Sequence, residues 1–343
     1  MTAIVMNRQL RAMRTTMTTD ARPDSFISMT QNCDIIETRR IRYTMSGMAL
    51  DIIVHRSDGT TETLPLNPPI DPEIQAQPNR QKTNSDPIIG HIDSGVDYRR
   101  SDIAEHLIFD ENGALVSRDA WDSDNHPFDA DTAHSPFFPR RHGSYVVDIL
   151  MQSTKRFRLL PVRYPRPDMA RMGDIIDWMA TNDASIIMVP MGSHHRDDWR
   201  SFFNAASRHP RILFIVSAGN NGQDIGLKPV YPAVNELENI LVVTSTLTDG
   251  QLATGSNFSP SVNIGLPAET LLARGLGDTK KLVSGSSFAV PKLAAFAACL
   301  NVRRYKENSP LATLVTRELQ ASTNSDHYQF FLNDGQITQM CRR

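Results

Sequence analysis

The sequence contains little cysteine, no long apolar run and almost no net charge, and each shortage narrows what the chain can do. Its three cysteines, Cys33, Cys299 and Cys341, are odd in number and widely scattered. They do not read as a disulfide framework, and the lack of any C-x-x-C pair removes the usual spacing of a zinc site. No stretch approaches the roughly eighteen consecutive apolar residues of a membrane span, so no membrane partner is expected. Lys and Arg total 36 against 38 Asp and Glu, a formal net charge of −2. That balance gives no electrostatic footprint for nucleic acid. Met1 to Asp20 is rich in Arg, Thr and Met but lacks the continuous apolar core of a secretory signal. Together with the cysteine usage, this points to a cytoplasmic location. No internal repeat interrupts the pattern.

What the sequence does have is enough apolar surface, 40% of its 343 residues, for one large domain with a small appendage. Residues 1–30 are polar and poorly patterned and are expected to be flexible. Arg40 to Thr44 and Leu50 to His55 resemble strands, with a Ser57-Asp-Gly turn before Thr60 to Leu66. Pro65 to Pro87, rich in Pro, Gln, Asn and Asp, reads as a linker. Residues 31–80 are therefore a small β-rich appendage and linker, with a propeptide as the alternative.

From Pro87 the rhythm changes to strand, loop, helix. Short apolar runs at Ile88–Ile92, Leu159–Val162, Ile186–Met191, Ile212–Val216 and Ile240–Thr244 suit strands buried on both faces. In Asp168–Ala180, the residues Met172, Ile175, Ile176 and Met179 fall on one helical face. Asp197–Ser207, Ser287–Leu300 and Pro310–Leu319 are further helices. The alternation predicts a three-layer α/β/α domain over 81–325 with a mostly parallel central sheet, followed by a tail over 326–343.

Four segments carry chemistry. Ile88 to Asp93 is an apolar strand ending in an acid before Ser94-Gly95, where open α/β sheets build their sites. His142 stands at the start of an apolar helix beside Gly143. Phe214 to Gly222 runs a strand into Ser217-Ala-Gly-Asn220, an amide donor in a turn. Ser287 opens an Ala-rich helix whose free N–H groups can hold an anion, and Pro291 places that helix start near Ser287. Taken singly, each has a structural explanation: a turn Asp, a core His, an Asn-Gly turn and an N-cap Ser. The order Asp, His, Asn, Ser makes them a set.

The set resembles the subtilisin-like serine peptidases. Asp93-Ser-Gly is similar to that family's Asp-Thr/Ser-Gly block, and His142-Gly-Ser-x-Val to its His-Gly-Thr-x-Val block. Gly285-Ser-Ser287-Phe-Ala-x-Pro291, the most specific motif here, is similar to Gly-Thr-Ser-Met-Ala-x-Pro. Trp121 to Asn125, Tyr231-Pro-Ala and Ser256-Asn-Phe-Ser259 fit as well. The resemblance implies an Asp93, His142, Ser287 triad, an Asn220 oxyanion donor and a peptide or protein substrate bound along Pro190, Met191, Gly192, Ala218 and Gly219. It implies serine endopeptidase activity through an acyl-enzyme, with a dedicated processing peptidase or a peptide-binding protein of low turnover as alternatives. No cofactor is required by that chemistry. Relatives bind structural calcium, but no acidic loop here has a supporting spacing. Three positions depart from the pattern: Pro190-Met191-Gly192 stands for Ser-Leu-Gly, Phe288 for Met, and Lys292 for His. Outside the motifs, His194-His195 with Asp197-Asp198 reads as a solvated loop, and Cys299 as a small core residue.

Overall fold

The apolar runs read from the sequence become strands of one sheet in the computed structural model, which describes residues 2–6, 9–19, 22–70, 86–304, 309–321 and 326–342. The chain divides into two compact units, residues 1–69 with 130–140, and residues 70–129 with 141–343.

The first unit is a six-stranded antiparallel sheet in sequence order: β1 (Thr2–Met6), β2 (Gln9–Thr19), β3 (Arg22–Thr30), β4 (Ile35–Tyr43), β5 (Ala49–Arg56) and β6 (Thr61–Pro65). Phe26, Ile41, Ile52 and Val54 are buried and form its small core. Phe26 packs on Phe137 and Phe138, with ring centroids 5.9 and 5.0 Å away. Arg39 donates to the Phe137 carbonyl at 3.0 Å and lies over the Phe138 ring. Residues 1–30, expected to be flexible, instead carry three of the six strands. Threonine-rich runs such as Thr15-Thr16 and Thr18-Thr19 favour strands by β-propensity without the apolar alternation that marks a half-buried one. The segment 130–140, expected inside the α/β domain, groups with this sheet. Of the linker read over 65–87, residues 71–85 lie outside the described residues.

The second unit holds a nine-stranded sheet. In chain order its strands are β7 (Ile88–Asp93), β8 (Arg118–Asp119), β9 (Arg158–Arg163), β10 (Ala184–Val189), β11 (Leu213–Ser217), β12 (Ile240–Thr246), β13 (Ile264–Pro267), β16 (Gln320–Ala321) and β17 (Phe330–Phe331). A separate hairpin pairs β14 (Leu271–Arg274) with β15 (Lys280–Val283). The sheet order is β16-β17-β13-β12-β11-β10-β7-β9-β8, and every pair is parallel except β16–β17. Helices α1 (Ser101–Ala104), α2 (Gly143–Ser153), α3 (Met172–Thr181), α4 (Arg200–Arg208), α5 (Ser286–Arg304), α6 (Leu311–Arg317) and α7 (Asp334–Arg342) accompany it. The α3 face predicted from periodicity, Met172, Ile175, Ile176 and Met179, is buried in the core against Phe202 and Phe214. Among the described residues no helix is long and apolar enough to cross a membrane.

Three local readings change. The helix carrying Ser287 begins at Ser286, so Pro291 falls in its second turn rather than its first. That helix opens with a tight turn, Phe288 N–H to the Gly285 carbonyl at 2.9 Å. Residues 326–343, read as a tail, supply β17 and α7. Cys299 and Cys341, read as unrelated thiols, form a disulfide with Cα atoms 5.1 Å apart that joins α5 to α7. Their separation of 42 residues hid the pairing, because contact across an α/β domain leaves no local spacing.

Candidate active site

Parallel strands end on a common edge, and the four chemical segments meet there. Asp93 is the last residue of β7, and its side chain is buried. His142 caps the N-terminus of α2. Its Nδ1 lies 2.9 Å from Asp93 Oδ1 and 2.8 Å from Oδ2. Because a carboxylate only accepts, Nδ1 carries the proton and Nε2 is left as the basic nitrogen. Burial alone pushes the Asp93 carboxyl up. The charge and hydrogen bond of His142, with the Ser94 N–H, outweigh it and hold the group below its ordinary value.

The start of α2 is held by a second carboxylate. Asp129 is fully buried and takes the His142 N–H at 3.1 Å, the Ser144 N–H at 2.9 Å and the Ser94 hydroxyl at 2.6 Å. Ser94 Oγ in turn accepts from the Gly143 N–H at 3.0 Å. An anion on the free N–H groups of a helix is the favourable arrangement of charge on dipole. Gly143 is required by space: a Cβ there would meet the Gly95 carbonyl and stand 3.1 Å from Asp93 Cβ.

Ser287 lies in the first turn of α5, and its hydroxyl donates to the Pro190 carbonyl at 3.1 Å. Phe288, the next residue, places its ring 5.5 Å from the His142 imidazole, which sets the α5 N-terminus alongside His142. Asn220 Oδ1 accepts from Ser286 N at 2.8 Å and Ser286 Oγ at 3.0 Å. A backbone N–H can only donate, so this fixes the amide with Nδ2 as its remaining donor group. Ser286 Oγ also receives the Gly219 N–H at 3.1 Å. Gly285, at φ +116°, has no room for a Cβ, which would stand 2.8 Å from Asn220 Oδ1.

Of the expected substrate-strand residues, Pro190 meets Ser287, while Gly192 and Gly219 face Val230. Cβ atoms built on those two glycines would lie 3.0 and 3.8 Å from Val230 Cγ1. Ala218 is buried and its N–H goes to the Val243 carbonyl. Met191 packs partly buried against the core. His194 donates to the Pro229 carbonyl. Among the described residues no group of three or more His, Cys, Asp or Glu could hold a metal ion.

Residues 84–329 match the signature of the Subtilase family. The chain belongs to the subtilase family. This subtilase is 26% identical over 234 residues to a "Thermophilic serine proteinase" of Bacillus sp. (strain AK1), covering 64% of the chain and 53% of that protein. It is 27% identical over 135 residues to a "Thermostable alkaline protease" of Halalkalibacterium halodurans, covering 39% of the chain and 36% of that protein. The match thus spans about half or less of these relatives' lengths. The solved structure of a lanthipeptide protease superposes with a TM-score of 0.60 at 16% identity, covering 75% of this subtilase and 88% of that chain. At that identity the likeness is one of fold.

Three further residues of this subtilase support the site. Asp129 sits in an irregular stretch just past the Trp121 to Asn125 block and belongs to none of the motifs. Asn257, inside the Ser256 to Ser259 block, organises the Asn220 turn: its Oδ1 accepts from the Asn221 and Gln223 N–H groups and its Nδ2 donates to the Ala218 carbonyl. Lys292 is buried, and its Nζ reaches the Pro267 carbonyl and Asp334. The position where the family keeps a His therefore ties α5 to the end of β13 and to α7.

Proposed function

We propose that this subtilase is a serine endopeptidase in which Asp93, His142 and Ser287 act as the triad and Asn220 as an oxyanion donor. The observation that carries the reading is the two-point contact of buried Asp93 with His142 Nδ1, beside the helix turn that bears Ser287.

His142 Nε2 takes the Ser287 hydroxyl proton as Oγ attacks the scissile carbonyl, since a serine hydroxyl is a poor nucleophile until a base removes that proton. Asp93 keeps the imidazole in the Nδ1–H tautomer and stabilises the imidazolium. The Asn220 amide and the Ser287 backbone N–H, free at the helix start, receive the oxyanion. The imidazolium then protonates the leaving amine, and water repeats the sequence on the acyl-enzyme. These groups complete the reaction without a metal or organic cofactor. In the resting arrangement the Ser287 hydroxyl donates to Pro190 O, so the first step includes its rotation toward His142.

A narrower reading is a dedicated processing peptidase for one peptide or protein partner. Val230 fills the space between Gly192 and Gly219, and Pro190 removes a backbone donor where the family pattern has Ser. The uncharged walls over 190–192 and 218–220, with Val230 beside both glycines, favour a small or apolar residue in the pocket.

Labelling with a fluorophosphonate probe, followed by mass spectrometry of the adduct, tests the activity. The expected adduct is on Ser287, absent in Ser287→Ala. If folded protein stays unlabelled, the peptidase reading fails. A peptide-library digest then separates broad from narrow cleavage.

A further inference from the structure

His91 stands two residues before Asp93 on β7, so side-chain alternation puts both on one face of the sheet. It is fully buried, and neither ring nitrogen makes a hydrogen bond of normal geometry, the Gly143 backbone acting on the ring only weakly. Nε2 lies 3.8 Å from Asp93 Oδ2. Gly143 closes over the ring, where a Cβ would stand 3.0 Å from His91 Nε2. The titratable groups that act on the imidazole are Asp93 on its own strand, His142 at the cap of α2 and Asp129 before α2. Burial holds the ring below its ordinary value, which keeps it neutral.

A neutral imidazole with two unsatisfied nitrogens is a costly core residue, and an apolar side chain would fill the space without that penalty. The two tautomers differ in what they do to Asp93. With the proton on Nδ1, the Nε2 lone pair opposes the carboxylate; with the proton on Nε2, the N–H dipole points at it.

We propose that His91 is a positioning residue for the Asp93–His142 pair: as the Nε2–H tautomer it turns a buried dipole toward Asp93 Oδ2 and so moderates the basicity of His142. The inference rests on the triad reading above. At 3.8 Å the contact is electrostatic rather than a hydrogen bond, and it operates where little solvent screens it. With His91 present, part of the Asp93 charge is drawn away from His142 Nδ1. Without it, the carboxylate stabilises the His142 imidazolium more strongly, and a larger share of the base is protonated near neutrality.

The test is an NMR titration of His142 in the full chain carrying Ser287→Ala, alone and with His91→Leu or His91→Gln. His91→Leu is expected to raise the His142 midpoint by about 0.5–1 pH unit, the scale of one buried dipole facing a carboxylate. His91→Gln, whose terminal N–H₂ lies the same number of bonds from Cβ as Nε2, returns most of the shift. In the Ser287 background, the acid limb of kcat/KM moves upward by the same amount in His91→Leu with KM unchanged. Equal loss of Tm in both variants with no movement of the midpoint would overturn the proposal and leave His91 a core residue. Because the titration needs no turnover, an inactive wild type sinks the peptidase reading without touching this measurement. Should His91→Leu fail to fold, ring ¹⁵N shifts of His91 in the unsubstituted protein decide. The Nε2–H form is required, and the Nδ1–H form or the imidazolium refutes it.

Discussion

Replacing Asp129 by Asn tests whether a carboxylate remote from the substrate sets the position of His142. The change keeps size and shape and alters two things. The three bonds from His142 N, Ser144 N and Ser94 Oγ lose their charge assistance. If the amide oxygen keeps the His142 side, the N–H₂ faces the Ser144 N–H, donor against donor. Hydrogen bonds to charged groups contribute about 1.5–3 kcal/mol against about 0.5–1.5 for neutral ones, and an orphaned buried donor costs about 1–3. The sum is a destabilisation of about 4–7 kcal/mol, or roughly 8–15 °C in Tm for a domain of this size. Since His142 is itself the cap residue, its ring is displaced with the helix start. Misplacement by an ångström costs on the order of 10²-fold in rate. Thermal unfolding by circular dichroism and the rate of fluorophosphonate labelling are the two readouts. A Tm within 2 °C of wild type together with an unchanged labelling rate would refute the assignment of Asp129 as the anchor of α2.

Asn220→Ala is expected to lower kcat by about 10²–10³, the loss seen in subtilisin when a single oxyanion donor is removed, with KM little changed. Val230→Ala opens space between Gly192 and Gly219, so digests should shift toward larger side chains in the pocket; an unchanged cleavage profile argues that Val230 does not bound it. Asp93 is held below its ordinary value, so its ionised form contributes stability that is fully present above about pH 4 and is lost as pH falls toward the folded value. Asp93→Asn should lack that component of the acid-side slope in urea titrations run at successive pH values. Cys341→Ser opens a loop of 42 residues and should destabilise the oxidised protein by about 3–4 kcal/mol, with no further loss when reductant is added.

The parallel sheet was legible because strands buried on both faces are continuous apolar runs, and all five runs became β7, β9, β10, β11 and β12. The candidate site was legible for a different reason. Asp93, Asn220 and Ser287 sit at strand ends and at a helix start, where glycine and small residues must accompany them, and those companions made the motifs. Asp129 has no such companions; its partners are backbone groups brought to it by the fold, and backbone has no sequence. The strands of residues 1–30 were missed because threonine and arginine carry their pattern rather than apolar alternation. The Cys299–Cys341 pair was missed because α7 returns to α5 only through β17. Lys292 looked like a loss from the family pattern and proves to be a new tie, to Pro267 and Asp334.

The proposed cutting apparatus is assembled from places far apart along the chain: Asp93 from the first strand of the parallel sheet, His142 from the helix α2, Ser287 from the helix α5. Long-range contacts form late, because each must overcome the entropy of closing the chain between its ends. A half-folded molecule therefore has an acid, a base and a hydroxyl but no geometry that joins them. For a protein whose proposed activity threatens every unfolded neighbour, including its own incomplete copies, that spacing is a safeguard: the blade exists only once the handle is finished.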